Sequence, residues 1–236
     1  MTLTLEQVKS KSSARLVGLQ PVVLAAVLAL IERSFAAGVP IIITQGLRTI
    51  AEQDALYAQG RSKPGSIVTN AKGGYSYHNY GLAVDFALLL PDGKSVSWDM
   101  NLDGDKDKLK DWDEVIKLGN ELGFEWGGDW TSFKDYPHLQ MTFGLSLAQL
   151  RAGTKPAKIE TDKIYTLINK LACEDETVSK ETKVSVLVNG VKIADGYLDA
   201  GTTLVPARAI AEAFGASISY DVETKTVNIT KKSMIL

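Results

Sequence analysis

YSYHNYGLAVDF, residues 75–86, changes character at its midpoint. The first half is polar and aromatic and ends at Gly81, the signature of a loop closed by a tight turn. The second half continues as GLAVDFALLL, a short apolar run that reads as a buried strand. The stretch therefore predicts a loop carrying His78 that feeds a strand carrying Asp85. The chain has only one other histidine, His138, in FKDYPHLQM, residues 133–141, with Asp135 three residues before it. His138 to Met141 reads as a second short strand. If the two strands lie side by side, both histidines and two carboxylates share one end of a small sheet.

The flanking sequence supplies helices to cover that sheet. Residues 21–37 read as an apolar helix with Pro21 in its first turn, where a missing N–H costs nothing. IIIT at 41–44 is β-branched and reads as a buried strand. RTIAEQDALYAQG predicts a helix with an apolar stripe of Ile50, Ala55, Leu56 and Ala58, ended by Gly60. Residues 61–77 form a long loop, PDGK at 91–94 a turn, and residues 108–122 a helix stopped by Gly123. Residues 1–150 are thus expected to be an α+β domain, a small antiparallel sheet with helices on one side. Residues 151–180 read as a polar linker containing a short helix. Residues 181–236 read as a second small domain of ββ-strand-helix-ββ order, whose first hairpin turns at Asn189-Gly190, a pair suited to a type I′ turn.

Composition narrows the function. With 45% apolar and 23% charged residues over 236 positions, the chain is ordinary for a folded protein. A formal charge of −2 argues against binding nucleic acid by bulk electrostatics. The apolar run Val22–Leu30 is far short of the roughly 20 residues that span a bilayer, and Glu6, Glu32 and Arg33 do not suit a cleaved signal. No membrane partner and no export signal are expected. The single cysteine, Cys173, excludes an internal disulfide and a cysteine-rich metal site; it is expected to be a buried or incidental thiol.

Two histidines and one carboxylate make a complete protein ligand set for catalytic zinc, which takes three protein donors and keeps a fourth position for water. His78, Asp85 and His138 would use the whole histidine supply. Spacing alone leaves the ordinary alternative open, two unrelated histidines at the surface or hydrogen-bonded in the core. Asp135 suits a general base, though KDYP is also good turn chemistry. Arg48, just after a buried strand, suits the stabilisation of an oxyanion or a structural ion pair.

SYHNYGLAVD fits the pattern S-x-H-x-x-G-x-A-x-D in full, and DYPH fits a later acid-x-x-His element. With QGLRTIAEQDALYAQGR and GFEWGGDWTSFKDYPHLQM, these blocks resemble the zinc peptidases of the D-alanyl-D-alanine carboxypeptidase and L-alanyl-D-glutamate endopeptidase family. The likeness is greatest to its bacteriophage endolysin branch and covers residues 1–145. It implies one zinc ion held by His78, Asp85 and His138, Asp135 as general base and Arg48 as transition-state stabiliser. Ser76 and Gln53 would orient substrate. Carboxypeptidase members usually carry E-x-W-H where this chain has Asp135 and Pro137. The departure points to an endopeptidase cutting between L-Ala and D-Glu of peptidoglycan stem peptides. A carboxypeptidase trimming those peptides and a non-catalytic wall-binding protein are the alternatives. On this reading the chain is expected to be a monomer made in the host cytoplasm, reaching the wall after the membrane is permeabilised.

VLVNGVKI, TTLVPARAIAEAFGA and YDVETKTVNIT resemble the small domain at the N-terminus of copper amine oxidases. The segment holds no histidine or cysteine, so no copper is expected, and its place behind a lytic domain points to wall binding. NLDGDKDKLKD, residues 101–111, alternates acids as calcium loops do. Counted from Asn101, positions six and twelve hold Lys106 and Trp112 where an EF-hand wants Gly and Glu. On that count no calcium is expected, and the segment reads as a solvated turn before a helix.

Overall fold

The computed structural model describes residues 3–179, 182–189, 191–199, 202–221 and 226–231. Two compact units divide the chain, Met1–Asn169 and Lys170–Leu236.

The first unit is built on an antiparallel sheet whose central strand is β2 (Ala83–Leu89). β1 (Ile41–Gln45) pairs with it on one side and β5 (His138–Gln140) on the other. β5 carries β4 (Glu125–Trp126) at its far edge. β3 (Val96–Ser97) returns onto β2 through the 91–94 turn, where Asp92 accepts the N–H groups of Lys94 and Ser95. Because β2 is covered on both faces, it reads as a continuous apolar run, and of its residues only Asp85 escapes full burial. The strand expected from GLAVDFALLL, residues 81–90, is this one.

Two helices precede the sheet. α2 (Pro21–Ala36) has proline in its first turn and buries Val22, Val23, Ala26, Val27, Leu30 and Ile31. Each of the valine, leucine and isoleucine side chains contributes about 1.5–3 kcal/mol by leaving water. The run Val22–Leu30 is therefore core, and no helix among the described residues is long and apolar enough to cross a membrane. α1 (Leu5–Leu16) has no counterpart in the sequence-based expectation, because its inward face is small and partly polar, Val8 and Ser12. The Ser12 hydroxyl accepts the Ile43 N–H at 3.0 Å, satisfying a strand donor on β1. The signal for α1 was present at its start: Thr4 and Gln7 form a capping box.

α3 (Ile50–Ala58) lies where the helical spacing placed it, but the expected apolar stripe is not its buried face. Ile50 is half exposed and Ala55 is exposed, while the one fully buried residue is Gln53. α4 (Asp111–Glu121) begins three residues later than expected, because residues 103–110 wrap into a loop before it. Its inner face, Trp112, Val115 and Ile116, packs into the core, with Trp112 against Phe86 at 4.6 Å between ring centroids. α5 (Leu147–Arg151) follows β5. The unit boundary then falls within α6 (Lys158–Ser179), a 22-residue helix where a shorter one was expected. Surface ion pairs Lys158–Asp162 and Lys163–Glu160 line its first turns.

In the second unit, β6 (Thr182–Val188), β7 (Val191–Asp199) and β8 (Thr202–Leu204) form one antiparallel sheet. α7 (Ala207–Ala213) leads to the hairpin of β9 (Ala216–Asp221) and β10 (Thr226–Lys231). This is the ββ-strand-helix-ββ order read from the sequence. Asn189 has the positive φ, 52°, that a type I′ turn requires, while Gly190 lies outside the described residues. The side chain of Cys173 also lies outside them.

Candidate metal centre

Three separate elements bring His78, Asp85 and His138 together. Asp85 and His138 face each other directly in the β2–β5 ladder, so their meeting follows from strand register. His78 sits on a single 3-10 turn, Tyr77–Tyr80, which Gly81 ends at φ 66°. A Cβ on Gly81 would lie 2.6 Å from the Gly18 carbonyl oxygen, so the turn needs glycine twice over, for its backbone and for its space.

The donor atoms form a tight triangle. His78 Nε2 lies 3.1 Å from Asp85 Oδ1 and 3.1 Å from His138 Nδ1, and His138 Nδ1 lies 3.3 Å from Asp85 Oδ1. The outer nitrogens fix which atoms carry hydrogen. His78 Nδ1–H donates to the Gly46 carbonyl at 2.9 Å, so its Nε2 presents a lone pair. His138 Nε2–H donates to Gln140 Oε1 at 2.9 Å, so its Nδ1 presents a lone pair. Gln140 cannot turn its amide round, because its Nε2 donates to Glu125 Oε2 at 3.1 Å. Glu125 Oε1 in turn accepts the Thr142 hydroxyl. Three lone pairs thus converge with no hydrogen between them, in a pocket where both imidazoles are buried. A proton or a small cation must occupy the triangle, and the outer hydrogen bonds are those that orient metal-binding histidines.

The electrostatics agree. Burial works against the Asp85 charge, yet the adjacent His78 and His138 rings hold its carboxyl well below the usual carboxylate range. Burial disfavours the imidazolium of His138, and the Asp85 carboxylate outweighs it, so the pKa of His138 is raised.

Beside the triangle opens a cleft of about 600 Å³, lined among others by Arg48, Ser76, Trp130, Phe133 and Asp135. Asp135 sits in a tight turn in which its carbonyl accepts the His138 N–H. Its carboxyl pKa is raised, first by burial and then by the Asp85 charge. Arg48 Nη2 lies 3.5 Å from Asp85 Oδ2, and its Nη1 donates to Gln53 Oε1 at 2.9 Å. Gln53 is fully buried and its Nε2 donates to the Ala71 carbonyl, so it stands behind Arg48 and does not reach the cleft. Ser76 does line the cleft, and its oxygen accepts the His78 N–H at 3.4 Å. Of the two tryptophans in WGGDW, Trp130 forms the wall, 5.1 Å from the His138 ring, while Trp126 is turned to Tyr136. Sequence reasoning did not single out Gly46, Gln140 or Glu125. Gly46 carried one signal, its glycine in QGLR: a Cβ there would lie 1.9 Å from the Arg15 carbonyl oxygen.

Residues 69–141 match the family described as D-alanyl-D-alanine carboxypeptidase, and residues 187–236 match the copper amine oxidase N-terminal domain. The peptidoglycan L-alanyl-D-glutamate endopeptidase CwlK of Bacillus subtilis is 60% identical over 104 residues, 44% of this chain and 62% of that protein. The L-alanyl-D-glutamate peptidase of Listeria phage A118 is 30% identical over 188 residues, 75% of this chain and 59% of that protein. The chain therefore spans about three fifths of each relative's length. The crystal structure of the Serratia marcescens L-Ala D-Glu endopeptidase ChiX aligns with a TM-score of 0.41 at 30% identity, covering 57% of this chain and 89% of that one. Residues 69–141, which match the family described as D-alanyl-D-alanine carboxypeptidase, hold the whole triangle, and the match to the copper amine oxidase N-terminal domain follows in the same chain.

Proposed function

We propose that the chain is a zinc peptidase of the phage-endolysin kind that hydrolyses the L-alanyl–D-glutamate bond of peptidoglycan stem peptides. The observation that carries the reading is the convergence of three lone pairs on one point beside a cleft. Zinc bonds of about 2.0–2.1 Å at tetrahedral angles separate their donors by roughly 3.4 Å, close to the spacings of this triangle. His78, Asp85 and His138 would hold one ion, which when bound supplies Lewis acidity and lowers the pKa of a water in its open position toward about 7.

The remaining chemistry belongs to the side chains of the cleft. Asp135, ionised, takes a proton from the attacking water as its oxygen bonds the L-Ala carbonyl carbon. As the C–N bond breaks, the same carboxyl returns that proton to the departing D-Glu nitrogen. Arg48 faces the cleft with its planar fork set by Gln53 and Asp85, and stabilises the negative charge that develops on the carbonyl oxygen. Gln53 acts by positioning Arg48. The Ser76 hydroxyl keeps its proton for a substrate oxygen, and Trp130 offers a flat apolar wall to the stem peptide.

The deciding experiment is mass spectrometry of purified peptidoglycan after digestion. New amino-terminal D-Glu, or its amidated form, is the expected product. Released D-Ala would replace the reading with the carboxypeptidase activity that the family description names. No new terminus with zinc present would leave a wall-binding protein. The outer hydrogen bonds give a finer prediction. Gln140→Met keeps volume but removes the acceptor for His138 Nε2–H, and is expected to weaken zinc binding by about 10–100-fold. Competition with a chromophoric chelator measures it, and unchanged affinity would remove Gln140 from the site.

The second unit is proposed to hold the enzyme on the wall. A full-length His78→Ala chain, which should not digest its ligand, is expected to sediment with purified walls, and a chain ending at Asn169 with the same change is expected to stay in solution. Equal sedimentation of the two would end that assignment. The enzyme is proposed to act as a monomer, on the wall, once the membrane that separates them is breached.

A further inference from the structure

The acidic loop before α4 takes a different meaning when it is counted from Asp103. Asp103, Asp105 and Asp107 then fall at positions one, three and five, Leu109 at seven, Asp111 at nine and Glu114 at twelve. Those are the ligand positions of an EF-hand calcium loop, in which position seven supplies a backbone carbonyl and position twelve a glutamate able to bind through both oxygens. The fold brings them together across twelve residues. Carboxylate oxygens of Asp103, Asp105 and Asp107 lie within 4.8 Å of one another, and so do those of Asp105, Asp111 and Glu114, the two sets sharing Asp105.

An acidic cluster alone is no site, but two of its oxygens are in an untenable position without a cation. Asp103 Oδ1 and Glu114 Oε2 are shut off from solvent and have no hydrogen-bond partner. Glu114 has no partner at all for its side chain among the described residues, and none of the five acids is in an ion pair there. Asp111 is 5% exposed and spends only one oxygen, Oδ1, on the Gly104 N–H. A buried, unpaired carboxylate oxygen is costly, and five acids crowded together with no ion-pair partner among the described residues repel one another. We propose that residues 103–114 bind one calcium ion, through the side chains of Asp103, Asp105, Asp107, Asp111 and Glu114 and the Leu109 carbonyl.

Two further features fit. Burial, with the charges of Asp107, Asp105, Asp111 and Asp103, pushes the Glu114 carboxyl up to about 7, which is the response of an acid held where a cation belongs. Position six, which EF-hands fill with glycine for its sharp turn, is Lys108 here, and its φ is 80°, the left-handed conformation that glycine adopts without strain. The loop makes the turn and bears the strain of a lysine in it. Its last two ligands stand in the first turn of α4, beside the face that packs into the core, so the ion would pin the start of a packed helix.

Calorimetry of the full chain, stripped of calcium on a chelating resin and reloaded with zinc, tests this with calcium chloride as the titrant. One site per chain is expected, with the melting temperature rising by several degrees in millimolar calcium. Glu114→Gln and Asp103→Asn are each expected to weaken binding at least about tenfold, and Lys108→Gly to tighten it. Because the two neutralising changes relieve repulsion, they should melt no lower than the parent in calcium-free buffer, which separates lost binding from lost folding. His78→Ala should bind calcium as the parent does. Absence of heat and of any melting shift at millimolar calcium would overturn the site. So would binding that survives Glu114→Gln and Asp103→Asn unchanged, or an equal response to magnesium.

Discussion

Replacing His78 with alanine is expected to abolish wall lysis and to release stoichiometric zinc in the same step. The expectation rests on how little redundancy the triangle has. Its three donors are the only histidines of the chain and one carboxylate, and each is oriented by a separate partner, Gly46, Arg48 or Gln140. Removing one leaves two donors, fewer than the three that a catalytic zinc site uses. Metal analysis by mass spectrometry and turbidity of purified walls read the two losses on one sample. Lysis by a His78→Ala protein shown to be metal-free would sink the proposed mechanism. A dependence on pH follows with a definite sign. The carboxylate of Asp85 raises the pKa of His138 despite burial, so in the absence of metal the site tends to hold a proton at His138. Zinc must displace that proton, so affinity is expected to fall as the pH drops through the raised value.

Much of the triangle was legible before the fold was known, because its three side chains sit on sequence features that are local. His78 precedes the Gly81 turn, Asp85 opens an apolar strand, and His138 follows a proline-containing turn, so each element announces itself within ten residues. What the sequence withheld was non-local. The Gly46 carbonyl meets His78 across 32 positions, and the Glu125–Gln140 pair depends on the register of β4 with β5. Gln53 shows how an apolar stripe can mislead. The helix α3 exists, but it is held by a buried amide that braces Arg48, while Ile50 faces solvent. α1 went unseen because a short helix that buries Val8 and Ser12 has almost no amphipathic signal. The proposed calcium loop also turns on register: the same acids match the EF-hand spacing when counted from Asp103 and not from Asn101.

Asp135→Asn should separate catalysis from metal binding, since the carboxyl of Asp135 belongs to the cleft and not to the triangle. Asparagine keeps the size and the turn, in which the backbone of residue 135 accepts the His138 N–H and donates to the Gly127 carbonyl. It cannot take a proton. The expected result is full zinc occupancy, little change in KM and a kcat lower by about 10²–10⁴-fold, the usual worth of a positioned general base. The burial that raises the pKa of this carboxyl, together with the Asp85 charge, also makes it a stronger base than a free aspartate. A base acts only when ionised, so the parent enzyme should lose activity as the pH falls through the pKa of Asp135. That acid limb should be missing from whatever rate the variant retains. Soluble stem peptides assayed across pH, with zinc in every buffer, would show it. If the variant loses its zinc, Asp135 is structural and the base lies elsewhere; if it keeps both zinc and rate, the proton leaves by another path and the cleft has been assigned the wrong acid.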